Sequence, residues 1–117
     1  MIHKELFMFL PGQQGDLPAF FTALANVTRL RIVERLLAVG EDTVNELALA
    51  LRMSQPRVSW HLRMLELGGV VRTRREGRLT YCSVDLDTIR RRLTGFEGLL
   101  ESRTARPAGN LRGEISG

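Results

Sequence analysis

The sequence predicts a mainly α-helical domain that carries one β-hairpin, and three observations support this fold class. Apolar residues recur at helical spacing in several segments. These segments open on residue types that cap helix N-termini, and two of them are followed by glycine. The segment 70–84 instead holds two β-prone runs around Glu76-Gly77. With 117 residues, the chain is long enough for one domain with its own core.

Capping residues place the first two helices. Asp16 can cap a helix that runs through Leu24, and Asn26 can cap the next helix, which Gly40 ends. The residues of this second helix that are predicted to face the core are Leu30, Val33 and Leu37. Residues 1–10 carry a further apolar stripe at rough helical spacing.

Two short helices joined by a tight turn are predicted next. Thr43 and Glu46 have the spacing of a capping box that opens the first of them. Ser54 can cap the second helix, and Pro56 lies in its first turn, where a missing N–H costs nothing. The residues of this helix that are predicted to pack inward are Val58, Leu62 and Leu65. Such a pair of helices is a helix-turn-helix, and a hairpin directly after it makes the winged variant.

The hairpin and the last helix complete the predicted domain. With Glu76-Gly77 as a two-residue turn, Val71 pairs with Cys82, and Cys82 shares a face with Val84. Asp85 or Asp87 can cap the last helix, whose apolar stripe comprises Ile89, Leu93, Phe96 and Leu100. We expect the domain to occupy residues 1–102, and residues 103–117, which have little apolar content, to be a disordered tail.

Composition restricts the class of protein. Hydrophobic residues make up 44% of the chain and charged residues 26%, which is typical of a soluble globular protein. No apolar run approaches the ~18–20 residues that span a bilayer, so no membrane partner is expected. Residues 1–10 are too short and too polar for a secretory signal, and we therefore expect a cytoplasmic protein.

The arginines are concentrated at the hairpin. The chain has 17 basic residues, of which only Lys4 is a lysine, and a net charge of +4. Arginine's planar fork suits phosphates and guanine edges better than an ammonium group does. Four arginines crowd the hairpin tip, where only Glu76 offsets them, and they repel one another unless a polyanion is bound: Arg72, Arg74, Arg75 and Arg78.

The second helix of the pair has the composition of a DNA recognition helix. Its face opposite the predicted core shows Gln55, Arg57, Ser59, Trp60, His61 and Arg63. Arginine can bond guanine and glutamine can bond adenine in a bidentate way, so Arg57 is the predicted main base reader and Gln55 the second. Ser54 caps the helix and can bond a phosphate. For Arg74, Arg75 and Arg78 we expect contacts with the DNA backbone or the minor groove.

Residues 24–84 resemble the ArsR/SmtB family of bacterial winged-helix repressors. The resemblance is carried by TRLRIV at 28–33, by the SQxxVSxHLxxL pattern at 54–65 and by REGR at 75–78. It implies a homodimer that packs through its first and last helices. It also implies recognition helices in successive major grooves of an imperfect palindrome, and an inducer that usually weakens operator binding.

The chain departs from this family at three points. Val27 follows Asn26 where the family often has proline, and Trp60 stands where a basic residue or histidine is common. For Trp60, packing on a neighbouring helix is favoured over stacking on a sugar or base. The stretch EDTVNEL at 41–47 lacks the cysteine pair of the metal-sensing members, and the last helix has no histidine. We therefore expect no metal cofactor, and the effector stays unknown.

Several alternatives remain open from the sequence. Cys82 is interpreted as a small buried hydrophobe, or as a redox switch if nearby arginines lower its pKa. The phenylalanines are interpreted as dimer core, or as the lining of a ligand pocket: Phe7, Phe9, Phe20, Phe21 and Phe96. The alternative function is a protein-interaction module that binds an acidic partner. Motifs for catalysis are missing, so an enzyme is not expected.

Overall fold

The computed structural model describes residues 16–104, which form five helices and a three-stranded antiparallel sheet. The helices are α1 Leu17–Leu24, α2 Val27–Val39, α3 Val44–Leu51, α4 Gln55–Leu67 and α5 Leu86–Thr104. The strands are β1 Asp42–Thr43, β2 Val71–Glu76 and β3 Leu79–Val84, in the spatial order β1-β3-β2. The predicted α-helical fold with a hairpin is thereby confirmed. The stripe at 1–10 and most of the predicted tail lie outside the described residues.

The predicted capping residues are confirmed at each helix start. The side chain of each predicted cap accepts the backbone N–H of the residue three positions later: Asp16, Asn26, Thr43 and Ser54. Glu46 also accepts the Thr43 N–H at 2.8 Å, which completes the capping box. For α5 the sequence left two candidates, and it is Asp85 that accepts the Thr88 N–H at 3.1 Å.

The inward face of α2 differs from the predicted one. Of the predicted residues, Val33 packs against the core as expected, whereas Leu30 and Leu37 are exposed. The buried residues of this helix are Arg29, Ile32 and Leu36. The core side of the helix is therefore rotated by about one position from the prediction. A count of apolar residues misses this phase because Arg29, a charged residue, occupies one of the buried positions.

The guanidinium of Arg29 links three helices. Its Nε donates to the Ala23 carbonyl at 2.7 Å and its Nη2 to the Thr22 carbonyl at 3.2 Å, both at the C-terminal end of α1. Its Nη1 lies 3.2 Å from Nδ1 of His61 on α4. Because arginine can only donate, this imidazole nitrogen is the acceptor. Helix α2 is thus joined to α1 and to α4 by directional bonds inside the protein.

The hairpin register also differs from the predicted one. The loop is Gly77-Arg78, so Glu76 pairs with Leu79 and Cys82 pairs with Thr73. Glycine at the first loop position has a φ of 63°, a conformation that two-residue hairpin loops require there. The pairing of β2 with β3 is shifted by two residues from the predicted one, so each side chain still lies on its predicted face of the hairpin. Cys82 therefore shares a face with Val84, as predicted, and it is fully buried.

The strand β1 was not predicted from the sequence. Asp42 and Thr43 pair with Cys82 and Tyr81 of β3, which extends the hairpin to three strands. The buried carboxylate of Asp42 accepts a bond of 2.8 Å from Nε of Arg35 on α2. A two-residue strand is too short to show an alternating pattern. Within residues 16–104, no helix is long and apolar enough to cross a membrane.

Gly68 lies at the end of α4, where the chain packs closely on α1. A Cβ at Gly68 would lie 2.6 Å from the Ala23 Cβ and 2.7 Å from the Ala19 carbonyl oxygen. We expect Gly68→Ala to lower the free energy of unfolding in urea by about 1–3 kcal/mol, the usual cost of overpacking. The control is Gly98→Ala on α5, where no atom lies within 4 Å of an added Cβ. That variant should be neutral or slightly stabilised, and an equal loss in both would contradict this account.

The bond between Arg29 and His61 predicts a dependence of stability on pH. Burial lowers the pKa of His61 below its usual 6.5, and the charges of Arg29 and Arg57 lower it further. As the pH falls below 6.5, His61 of the unfolded chain takes up a proton before His61 of the folded protein does. The free energy of unfolding should therefore fall as the pH drops from about 7 to about 5. His61→Asn keeps an acceptor oxygen near Nδ1 and cannot titrate. Urea midpoints at both pH values should therefore differ less in this variant, and an unchanged difference would contradict the prediction.

Candidate nucleic-acid interface

Helix α4 has one buried and one exposed side, as the sequence predicted. Val58, Leu62 and Leu65 lie in the core, packed with residues of α1, α2 and α3. The members of the predicted DNA-binding set that are exposed at this helix are Ser54, Gln55, Arg57, Ser59 and Arg63. Each helix of the pair begins at a capped N-terminus, and the C-cap residue Arg52 makes the turn between them in a left-handed conformation. This arrangement presents a polar, arginine-bearing surface to solvent.

The prediction that His61 belongs to this surface is wrong. Its side chain is buried, with 8% of the residue exposed, and it bonds Arg29. The reason is its spacing, because position 61 lies three residues after Val58 and four before Leu65, on the same helical stripe. Sequence reasoning also missed Arg29. The signal for Arg29 was present, since this residue belongs to the TRLRIV stretch that carried the family resemblance.

Trp60 is exposed, contrary to the packing that the sequence favoured. It has 56% of its surface accessible, although it is the chain's single tryptophan. Position 60 lies nearly opposite the buried stripe of α4, so the indole cannot reach the core. On the exposed surface of the helix it lies between Arg57 and Arg63.

A groove of ≈ 460 Å³ separates α4 from the hairpin, which we call the wing (residues 71–84). Its walls are formed from α4 by Ser59, Arg63 and Glu66, and from the wing by Thr73 and Thr80. A second groove continues from it, because both are lined by Val44, Ser59 and Thr80. This continuation also has Asn45, Gln55 and Arg78 in its walls. The two N-terminal helix ends and the wing tip therefore meet around one trough.

The wing arginines fall into two groups. Arg74 lies on the face of the wing that carries Tyr81, with its guanidinium 4.5 Å from the ring centroid. Both carboxylate oxygens of Glu41 accept bonds from Arg74, at 3.1 and 3.2 Å, and Glu76 lies 3.4 Å away. Arg75 lies on the opposite face, which it shares with Thr73 and Thr80 of the groove.

Charge is therefore unevenly balanced along the wing. Arg74 is neutralised by two carboxylates, Glu76 and Glu41. From the sequence, only Glu76 was expected to offset the wing arginines. In the part of the chain that the structure describes, Arg75 and Arg78 have no carboxylate partner. Arg75 and Arg78 thus place unpaired positive charge on the groove side of the wing and at its tip. Arg72 has no salt bridge within the described residues either, but it lies on the face of Arg74, where its charge acts on Asp85.

Two predicted contact residues of α4 already form hydrogen bonds within the protein. The Ser54 hydroxyl accepts the Arg57 N–H at 3.4 Å, which caps the helix. The Gln55 amide donates to Oδ1 of Asn45 on α3 at 2.8 Å, and both side chains are exposed. Because this bond lies in water, an adenine edge could replace it at little cost.

Cys82 has the environment of a structural thiol. Burial raises the pKa of Cys82 to about 11, and the carboxylates of Glu66, Asp42 and Glu41 raise it as well. The proposed lowering by nearby arginines is therefore not found. A thiolate, which redox chemistry requires, is disfavoured here at neutral pH. Among residues 16–104, no group of three or more metal-ligating side chains is assembled.

Helix α5 carries an exposed apolar face. Its large apolar side chains are exposed at Leu86, Leu93, Phe96 and Leu100. Phe21 of α1 joins this face through an edge-to-face contact with Phe96, at 5.1 Å between ring centroids. Phe20, in contrast, lies in the core, and Phe7 and Phe9 lie outside the described residues.

The comparisons with known proteins point to one family. The sequence pattern described as "Bacterial regulatory protein, arsR family" matches residues 26–73. Over 58 residues, the chain is 43% identical to the arsenical resistance operon repressor of Escherichia coli strain K12. The aligned stretch covers 50% of this chain and 50% of that protein. The chain spans between 50% and 58% of the length of that repressor and of other curated metal- and arsenic-resistance regulators that it matches.

Solved structures agree with this match. The crystal structure of the ArsR family transcriptional regulator RHA00566 superposes with a TM-score of 0.65 at 30% identity, and it covers 84% of this chain and 98% of that chain. The solution structure of the homodimeric winged helix-turn-helix DNA-binding domain Mb0332 from Mycobacterium bovis superposes with a TM-score of 0.59 at 30% identity. The match covers 79% of this chain and 82% of that chain. The family is one of bacterial regulatory proteins. The predicted resemblance is thus confirmed: the fold is a winged helix-turn-helix, and the chain belongs to the arsR family of bacterial regulatory proteins.

Proposed function

We propose that this protein is a DNA-binding transcriptional repressor that acts as a homodimer on a palindromic operator. In this proposal α4 lies in the major groove, and the wing lies against the backbone or the adjacent minor groove. Because bacterial DNA lies in the cytoplasm, the function also assigns the protein to that compartment. The operator, the regulated genes and the effector are left open.

The observation that carries the proposal is the trough between α4 and the wing. Two exposed arginines without a carboxylate partner in the described residues line it, Arg63 from α4 and Arg78 from the wing tip. Arg75 lies on the wing face that forms one wall, and Arg57 adds a further unpaired charge on the exposed side of α4. Like charges held this close repel one another, and a phosphate backbone is the ligand that relieves the repulsion along a whole groove. Arg57, Gln55 and Ser59 can then reach base edges, with Ser54 at a phosphate.

The wing contacts are proposed for Arg75 and Arg78, whereas Arg74 has a different role. Because Arg74 is held by Glu41 on the far face of the wing, a phosphate would have to displace this pair before it could bind Arg74. We therefore assign Arg74 to anchoring the wing on the segment before β1. His61 is assigned to the packing of α4 and not to DNA.

The relatives favour DNA over an acidic protein partner. The match in Escherichia coli is named an operon repressor, and the domain from Mycobacterium bovis is named as DNA-binding. A protein-interaction module would need a reason for the basic trough other than a polyanion, and no feature of the described surface supplies one. The adaptor function is therefore an outcome of the test and not a second proposal.

The proposed homodimer accounts for the apolar face of α5. An exposed row of large apolar side chains on a small domain marks an interface, because water would otherwise cover it at a cost. The domain from Mycobacterium bovis is named as homodimeric. We propose that α5, with Phe21 of α1, packs on the same surface of a second copy.

Salt dependence tests the DNA-binding function. We expect the affinity of the wild-type protein for random-sequence duplex to fall steeply as salt rises, because each neutralised phosphate releases condensed ions. Arg75→Ala should reduce the slope of log K against log salt by about one. The control is the double variant Glu41→Gln/Arg74→Gln, which keeps the net charge and should keep the wild-type slope. Weak, salt-independent binding by the wild-type protein would refute the proposal and favour the adaptor.

Charge on the α5 face tests the homodimer. Leu93→Glu places a carboxylate in the proposed apolar interface, where its desolvation opposes association. We expect sedimentation equilibrium to show a dimer for the wild-type protein and a monomer for Leu93→Glu. The control is Leu49→Glu on α3, a leucine outside that face that is more exposed than Leu93 (72% against 48%), and this variant should stay dimeric. A wild-type monomer, or a Leu93→Glu dimer of unchanged stability, would rule the interface out.

A further inference from the structure

The outermost line of α4 is partly apolar. Opposite the buried stripe lie four exposed residues spaced at 4, 3 and 4 positions, which we call the outer ridge: Pro56, Trp60, Arg63 and Leu67. Trp60, 56% exposed, lies near the middle of this line. If α4 enters the major groove, the outer ridge is the part of the helix that penetrates deepest. The indole then faces the base edges on the floor of the groove and lies away from the phosphates at its rims.

The surroundings of Trp60 indicate what covers it. A large exposed indole gains free energy when an apolar surface removes it from water. An apolar protein partner fits poorly, because Arg57 and Arg63 flank the indole and would be desolvated with it. The occupant must therefore offer negative charge on both sides and an apolar group between. A DNA major groove offers both, since phosphates line its edges and base pairs its floor.

Resting on the proposed function, we propose that Trp60 is a specificity-determining residue that recognises thymine through its 5-methyl group. The methyl group of thymine is the apolar group that the major-groove edges of the four base pairs present, whereas the other groups there donate or accept hydrogen bonds. Trp60 thus favours operator positions at which thymine stands next to the bases read by the polar residues of α4. A 5-methylcytosine presents the same group and should be accepted in part.

The test removes the methyl group alone. Operator sites are first recovered from a random duplex pool, and each thymine of the recovered site is then replaced by uracil in turn. We expect wild-type affinity to fall about fourfold for each methyl group contacted, the factor that corresponds to burying one such group. Trp60→Ala should bind the thymine and uracil operators equally. At the sensitive position, 5-methylcytosine should bind the wild-type protein more tightly than cytosine does, and should not do so for Trp60→Ala.

Controls separate recognition from folding. Trp60 is exposed, so Trp60→Ala should keep the wild-type urea midpoint, and Leu49→Ala on α3 should keep the wild-type response to uracil. As the chain's single tryptophan, Trp60 also reports directly on its surroundings. Its fluorescence should change more on the thymine operator than on the operator with uracil at the sensitive position.

The outcomes distinguish this inference from the proposed function. A specific operator that is bound equally by wild type and Trp60→Ala, with no uracil effect, overturns the role of Trp60 and leaves the repressor function standing. A uracil effect that persists in Trp60→Ala overturns it as well, because another residue then contacts the methyl group. Failure to recover any operator, together with salt-independent binding to random duplex, overturns both.

Discussion

The buried guanidinium of Arg29 is the interaction on which the position of the recognition helix depends. A charge this deep in a protein is costly unless it is hydrogen-bonded, and here each of the three guanidinium nitrogens bonds a main-chain carbonyl or the imidazole. The carbonyls of Thr22 and Ala23 also form the negative end of the α1 dipole, which stabilises the positive charge. Apolar packing alone has no preferred direction, whereas these bonds specify how α1, α2 and α4 meet.

Once α4 is held in this way, the charge pattern of the wing follows from strand alternation. Neighbouring wing arginines point to opposite faces of the hairpin, so Arg74 bonds Glu41 on one side while Arg75 faces the groove on the other. The pair on the far face connects the wing to the segment before β1. The unpaired charge of Arg75 thereby lies on the side from which α4 also projects, and one surface carries exposed arginines of both elements.

Local features of the fold were predictable, whereas helix phase and the exposure of single side chains were less so. Caps depend on a few neighbouring residues, and the predicted caps at Asp16, Asn26, Thr43 and Ser54 were confirmed. The predicted inward face of α2 was wrong at Leu30 and Leu37, because the charged Arg29 occupies a core position where an apolar residue is expected. Trp60 was predicted to pack, since its size suggests burial, but helical geometry directs it to solvent. The hairpin loop was displaced by one residue because glycine takes the first loop position.

The sequence by itself determined the order of the elements, their caps, the helix-turn-helix spacing and the concentration of arginine at the wing, because these depend on residues close together in the chain. Only the tertiary structure decided that His61 bonds Arg29, that Glu41 neutralises Arg74 and that β1 joins the hairpin. Glu41 and Arg74 are 33 positions apart, and Arg29 and His61 are 32 apart. Contacts at such separations arise from packing of whole elements, and no local pattern in the chain encodes them.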